Sequence, residues 1–474
     1  MWVRTQTDTE IPRESWLALI VTTLVFFLVV VDVSAVNVAF PSIGDDFGTD
    51  EGSLSWILSG YNVVVASLLL VAGRMADSLG RKRVFLPGVA VFLLGSMLCG
   101  VSQDTGQLIA SRVIQALGGA VVMASALAVV LPGFPSHKRS TVIGITGATG
   151  SLGAVFGPAL GSFLIDIWSW RGIFFINVPI CLLVLFLGPK LLQESKNPAA
   201  TGRIDLLGVP IGTAAIALMM FGIVQSETWG ITDPRAVASF LIGAALVPVL
   251  LRRSAHHPEP LLELDLFGYR SFRAANAGVA FYSMAFTSGF LVNSLMLQRL
   301  WDQPITTTGK ALMAAPLLAA VVSPLSGRLA DRVGHRWILS LGSICCGLAV
   351  VGFLLLLGPE PQVFTRFVPI SLLSGIGIGA TIATWASAGI SDVNPARFGT
   401  ANATLRTTQQ VFYALGVSIA VTLLAAGSER GGLQGFRWAW IFVAGMYFAS
   451  AVVVALMFPA GSSDDRGHHL PGQP

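Results

Sequence analysis

Fourteen apolar runs recur along the chain, at about 16–40, 54–73, 84–101, 107–131, 141–165, 172–189, 204–224, 235–251, 273–298, 309–327, 337–357, 364–390, 399–426 and 436–459. A membrane-spanning helix needs ~20 mainly apolar residues, whereas barrel strands run near ten with strict alternation. The runs therefore predict spanning helices, separated by Gly, Pro and charged residues. Only 11% of the 474 residues are charged and the mean hydropathy is +0.73, against about 25% charged in a soluble domain. The chain is expected to be an all-α polytopic membrane protein. Its net charge of +4 is too small and too confined to loops to indicate nucleic acid. The first run follows a polar Met1–Ser15. It is longer than the apolar region of a cleavable signal and reads as a retained helix.

A duplicated loop organises these runs. Gly73-Arg-Met-Ala-Asp-Ser-Leu-Gly-Arg-Lys-Arg83 returns 254 positions later as Gly327-Arg-Leu-Ala-Asp-Arg-Val-Gly-His-Arg336. The first copy follows helix 2 and the second follows helix 10. Two bare six-helix units would put them six helices apart, so the surplus is one hairpin, helices 7 and 8. The expected plan is an N-terminal six-helix bundle (1–190), an inserted hairpin with its linker (191–272), a C-terminal six-helix bundle (273–460) and a tail (461–474). Repeated halves around a midplane site are a recurring transporter design.

Orientation follows from Lys and Arg. With the N-terminus inside, twenty of the 29 fall on the cytoplasmic side, seven on the outer side, and Arg112 and Arg406 lie within spans. The positive-inside bias then places both termini in the cytoplasm. Cys99, Cys181, Cys345 and Cys346 all lie in apolar runs, so no disulfide framework is expected, and no Cys/His spacing suits a metal. His256 and His257 read as solvated loop residues.

Several side chains stand out within this frame. In the loop, Gly73 and Gly80 permit a tight turn, and Asp77 can accept from the N-terminus of the next helix, where negative charge is favoured. Arg81 and its basic neighbours suit anionic lipid, and Asp331 is the second copy's counterpart of Asp77. Asp32 stands in the middle of helix 1, at a cost of ~2.5–3.5 kcal/mol on insertion scales. Desolvation favours its neutral form, so it could exchange a proton near neutral pH. The alternative is a structural hydrogen bond between helices. Arg112 in helix 4 cannot lose its proton and needs an acid, with Asp32 the candidate; a structural cation is the alternative. Gln115 shares its face. In helix 5, Gly147, Gly150, Gly153, Gly157 and Gly161 make one smooth face for close helix approach, with Pro158 able to bend the helix. A rocking seam is the functional reading layered on that packing. Helix 9 aligns Asn276, Ser283, Thr287 and Ser294, and helix 13 aligns Asn402, Arg406, Gln409, Gln410 and Tyr413. Such stripes either line a cavity or join helices. Trp168 and Trp170 suit an interfacial belt. Gly375, Gly377 and Gly379 lack a βαβ context and read as helix packing. No phosphate-binding loop, Gly-x-Ser-x-Gly or His-Glu-x-x-His motif occurs, which argues against an ATPase or a hydrolase.

Together these residues resemble the major facilitator superfamily. Gly73–Arg83 resembles its signature between helices 2 and 3, Arg112–Gly119 its helix 4 signature, and Gly147–Gly161 its helix 5 antiporter signature. Asp32-x-Ser-x-Val-Asn37-Val-Ala-x-Pro41 is similar to the mark of the fourteen-helix drug:proton antiporter branch, and Trp170–Pro179 and Asn402–Gly416 fit the same branch. The resemblance spans essentially the whole chain. It implies two six-helix bundles plus a two-helix hairpin, and export of drugs or small amphipathic metabolites by alternating access coupled to proton entry. Asp32 would be the protonation site and Arg112 would couple it to substrate. Asn37, Gln115 and the stripes of helices 9 and 13 would face substrate. The helix 5 glycines would prevent leak. Gly73, Asp77, Gly80, Arg81 and Asp331 would latch the halves on the cytoplasmic side.

The expected partners are a small-molecule substrate, protons and the lipid bilayer, without cofactor, metal or nucleic acid, in a monomer of a bacterial-type plasma membrane. In one respect the chain departs from cation exporters of that branch. Helices 9–14 carry no mid-span carboxylate, and helix 13 carries Arg406. Neutral, zwitterionic or anionic substrates are therefore expected over dications. A dedicated single-metabolite exporter or an importer is the alternative within transport. A membrane enzyme or receptor is the rival class, but the loop at about 252–272 has no convergent acid, base and nucleophile.

Overall fold

The computed structural model describes residues 11–49, 51–196, 205, 207–230, 232–258, 260–394, 397–428 and 432–459. Among them the long elements are all helices: α1 (Arg13–Phe47), α2 (Glu51–Leu79), α3 (Arg81–Val101), α4 (Thr105–Val130), α5 (Ser136–Ile167), α6 (Asn177–Leu191, after a single turn at Gly172–Phe175) and α7 (Gly208–Trp229). They continue as α8 (Pro234–His256), α9 (Arg270–Leu295), α10 (Ile305–Val333), α11 (His335–Leu356), α12 (Val368–Ile390), α13 (Phe398–Ser428) and α14 (Gly432–Met457). In the described residues thirteen helical segments are long and apolar enough to cross a membrane. The fourteenth, α5, has 32 residues, and the apolar stretch found among its described residues is Phe156–Ile167. The tail 461–474 and the linker residues 197–204 lie outside the described residues.

Packing repeats with a shift of eight helices. α3 lies on α4 as α11 lies on α12, α2 on α4 as α10 on α12, and α1 on α5 as α9 on α13. The duplicated loop is thus the local trace of a duplicated bundle, and the fold is two six-helix bundles with an inserted hairpin. Both loop copies turn on a glycine with positive φ, Gly80 at 118° and Gly334 at 95°, a conformation closed to most side chains. The hairpin packs α7 against α2 and α13, one helix from each bundle, through an apolar layer that includes Leu70, Ile216, Met220 and Leu250. The bundles themselves meet along two seams, α2 with α13 and α5 with α10.

The glycine face of α5 has a definite partner. A side chain at Gly150 would meet Phe26, at Gly153 Val30, at Gly157 Ser34 and at Gly161 Ala35, all on α1. Gly144, outside that face, turns instead toward Ser323 and Pro324 of α10. The glycines therefore let α5 press on the helix that carries Asp32, inside one bundle, while other positions of α5 form the seam. Ser34 Oγ donates across this contact to the Gly153 carbonyl at 3.3 Å. Gly157→Leu has no room to rearrange, since even a Cβ would collide with Ser34 and stand 3.0 Å from the Val31 carbonyl. Overpacking of this kind costs about 1–3 kcal/mol. The variant is expected to melt at lower temperature in detergent than the parent. Unchanged melting would mean that α1 and α5 part freely.

Candidate functional site

Asp32 lies inside the first bundle, 1% exposed, and does not stand alone. Arg112 Nη1 donates to its Oδ2 at 2.5 Å, and Gln115 Nε2 donates to its Oδ1 at 2.8 Å. Arg112 Nη1 also donates to Gln115 Oε1 at 2.7 Å, which closes a three-membered ring of side chains. Arg112 and Gln115 are three residues apart on α4, so helical spacing presents both to α1. Asn177 Nδ2, at the start of α6, donates to Asp32 Oδ1 at 3.3 Å and to Ser96 Oγ at 2.8 Å, and Ser96 Oγ donates to the Phe174 carbonyl at 2.9 Å. The Tyr61 ring lies 4.2 Å under the Arg112 guanidinium, a cation–π contact that helps hold a buried cation. A charge pair removed from water survives only with such geometry and additional hydrogen bonds. Among the described residues three polar atoms here lack a hydrogen-bond partner: Tyr61 Oη, Arg112 Nη2 and Asn177 Oδ1. These atoms leave donor and acceptor capacity unused beside the ion pair.

A second cluster joins the bundles where α2 turns into α3, the basic end of the molecule. Asp77 accepts from Gly399 N at 3.2 Å, Thr400 N at 2.6 Å and Thr400 Oγ1 at 3.1 Å. It also accepts from Arg81 Nε at 3.0 Å and Nη2 at 2.9 Å. Asp77 thus accepts from the first residue of α3, as expected, but through the Arg81 side chain, while its backbone donors among the described residues come from α13. Its carboxylate sits on the first turn of α13, whose free N–H groups and positive dipole end attract it. The approach needs small residues. A side chain at Gly73 would collide with Ala403, and one at Gly399 would strike Asp77. Glu263, in the linker before α9, pairs with Arg74 of α2 and lies 3.3 Å from Arg397 Nε, just before α13. Burial pushes the Glu263 carboxyl up from its ordinary range, against the pull of Arg74 and Arg397.

Between these clusters a small cavity separates the bundles, walled by Phe26 of α1, Met123 of α4, Ile143 and Thr146 of α5, Asn402 and Arg406. Asn402 Nδ2 crosses the gap to the Ala124 carbonyl at 3.4 Å. Among the described residues the side-chain hydrogen bonds from one bundle to the other (Asp77 to Gly399 and Thr400, Asn402 to Ala124) all lie toward the basic end.

Comparison with known proteins accounts for this arrangement. The profile of the Major Facilitator Superfamily matches residues 22–417 and, in an overlapping second match, 276–470. The chain belongs to the major facilitator superfamily. It is 32% identical over 419 residues to the multidrug resistance protein Stp of Mycobacterium tuberculosis (strain CDC 1551 / Oshkosh), covering 87% of this chain and 76% of that one. It is 28% identical to the riboflavin transporter RibZ of Clostridioides difficile, over 87% and 89% of the two chains. The puromycin resistance protein pur8 of Streptomyces alboniger is 29% identical, over 96% and 94%. In fold, the chain is similar to the human organic anion transporter MFSD10, with a TM-score of 0.68 and 15% identity over 94% of this chain and all of that one. The transporter FucP in its outward conformation gives a TM-score of 0.63 at the same identity and coverage. As in these transporters, the chain is not an enzyme.

Within this superfamily fold the expected residues divide. Asp32, Arg112 and Gln115 converge, and Gln115 belongs to the charge cluster and not to the inter-bundle cavity. Asn37 is exposed and donates only to the Val33 carbonyl, at 2.9 Å. Arg406 and Gly147 line the cavity. Asn276 and Thr287 tie α9 to α13: Asn276 Oδ1 accepts from Thr408 Oγ1 at 3.0 Å, and Thr287 Oγ1 donates to the Tyr413 carbonyl at 3.0 Å. Ser283 is buried, and Ser294 accepts from Gln298 at 3.1 Å near the far end. Gln409 accepts from Arg406 at 3.2 Å, Gln410 is half-buried, and the Tyr413 ring lies 6.1 Å from that of Phe286. Asp331 lies in α10, and its side chain falls outside the described residues. Trp168 is exposed as a belt residue should be, but Trp170 is 3% exposed and donates to Asp46 at 3.2 Å. Ser96 and Glu263 were not marked by sequence, and Asn177 lay within the Trp170–Pro179 segment without a role assigned to it.

Proposed function

We propose that the chain exports drugs or small amphipathic metabolites by alternating access, driven by proton entry. The observation that carries this reading is the buried Asp32–Arg112 pair, the sole ion pair among the described residues in the middle of the spanning helices. A proton on Asp32 cancels the charge that Arg112 is paired with and frees its guanidinium to seek Tyr61, Asn177 or substrate. That exchange of partners is the switch. With the basic end cytoplasmic, as its arginines and lysines argue, the Asp77–α13 contact holds the cytoplasmic side shut. Two of the relatives above are named for resistance to drugs, which favours drug export. The riboflavin transporter among them supports the second reading, a dedicated metabolite carrier.

Inverted membrane vesicles with an acidified lumen test the function. A panel of neutral, cationic and anionic amphipathic dyes is expected to include several that accumulate, and collapse of ΔpH by a proton/potassium exchanger should release them. Accumulation indifferent to ΔpH would refute proton coupling, and transport of a single compound in the panel would favour the dedicated carrier.

A further inference from the structure

We infer that Arg406 anchors an anion subsite, so that the preferred cargo is an amphipathic organic molecule carrying an oxyanion. The inference rests on the exporter reading and adds the chemical class of its cargo. Arg406 lies eight residues into α13, about 12 Å along the helix from its start at the basic end. It lines the cavity between the bundles beside Phe26, Met123, Thr146 and Asn402. Its guanidinium donates to Gln409 Oε1 at 3.2 Å, which is a neutral acceptor. Among the described residues no carboxylate lies within ion-pair distance of it.

The contrast with Arg112 gives the argument its force. Both arginines lie at membrane depth, and neither can shed its proton. Arg112 is matched by Asp32 within its own bundle. Arg406 is matched by nothing charged, yet faces a cavity. An unmatched cation at that depth is costly and marks a site where a counter-charge comes and goes. The planar fork has five N–H donors, of which one is committed to Gln409, so two can meet an oxyanion side by side. The Phe26 ring lies 5.9 Å from the guanidinium and offers an apolar face to the body of an amphipath. A cationic cargo would meet like charge there with no carboxylate to offset it.

Two dyes sharing one tricyclic xanthene skeleton provide the test: fluorescein, an anion, and rhodamine 123, a cation. Binding is read by fluorescence anisotropy on the purified full chain in detergent, with no proton gradient. Fluorescein is expected to bind at least tenfold more tightly than rhodamine 123. Arg406→Gln should remove that preference and Arg406→Lys should keep most of it, because charge survives although the fork does not. Loss of the preference in Arg406→Gln with rhodamine 123 binding retained excludes simple unfolding. Absence of an anion preference in the parent, including failure of fluorescein to bind, or its survival in Arg406→Gln, overturns the assignment. Since no gradient is present, failure of ΔpH-driven uptake would leave this result standing. Loss of anion preference beside intact uptake would leave the exporter reading standing.

Discussion

Asp32→Asn is expected to lower ΔpH-driven uptake in inverted vesicles by at least 100-fold while leaving gradient-free exchange of substrate in place. Asn has the shape of Asp but cannot carry a proton in and out. The hydrogen-bond ring explains the rest. Arg112 donates to Oδ2, while Gln115 and Asn177 donate to Oδ1. One of those positions becomes an NH2 group in Asn and faces a donor, at about 1–3 kcal/mol for the unmade bond. Arg112 also loses its counter-charge, and breaking a buried pair costs about 3–5 kcal/mol. Asp32→Asn with Arg112→Gln removes both charges and should recover stability without recovering coupling. Counterflow of labelled substrate without ΔpH separates lost coupling from lost fold. If ΔpH-driven uptake persists in Asp32→Asn, this carboxylate is not the essential proton site.

The second large effect concerns the basic end. Asp77→Asn should impair transport by tenfold or more, and Asp331→Asn by much less. Asp77 accepts five hydrogen bonds, three from α13 and two from Arg81. Asn cannot accept at both of its terminal atoms, and it brings no charge to the helix end, an interaction worth up to ~2 kcal/mol when partly buried. Arg81, 3% exposed, would lose the charge of Asp77 with which it is paired. Each 1.4 kcal/mol shifts a two-state population about tenfold, so the closed arrangement of the basic end loses its advantage. The copies differ in sequence: Arg81-Lys-Arg83 follows the first Asp, whereas His335-Arg336 follows the second. Spin labels on α2 and α13 at that end should show a longer, broader distance distribution in Asp77→Asn. Equal transport defects in the two variants would refute the asymmetry.

Several features of this architecture are readable from the chain alone. A helix in lipid satisfies its backbone within its own segment, so apolar length suffices to announce it. That is why the run near 16–40 returns as α1 with longer ends, and the run near 337–357 as α11 with bounds shifted by one or two residues. In α5 close contact with α1 needs glycine where lipid would favour leucine. The repeat at eight helices was equally plain, because each copy of a bundle carries its own turn glycines, Gly80 and Gly334. The cost of a mid-helix carboxylate singled out Asp32, and helical spacing aligned Arg112 with Gln115.

What the chain did not announce is which helix stands beside which. Asp77 meets Thr400, 323 positions away, and nothing local distinguishes that partner from α3. Asn177 and Ser96 join Asp32 because α6 and α3 close around α1 and α4, although each is a single polar residue in an apolar run. Glu263 becomes a bridge to Arg74 and Arg397 because the linker folds under α2 and α13. On α9, Asn276 and Thr287 face α13 and hold it, while Arg406 on α13 faces the gap between bundles; a polar stripe looks alike in both cases. Sequence by itself determined the helices, their duplication and the one carboxylate that the membrane must accommodate, because hydropathy and backbone hydrogen bonding act within a segment. Tertiary structure alone decided the partner of each charge, because that depends on the packing of helices far apart in sequence, whose meeting leaves no mark on either one.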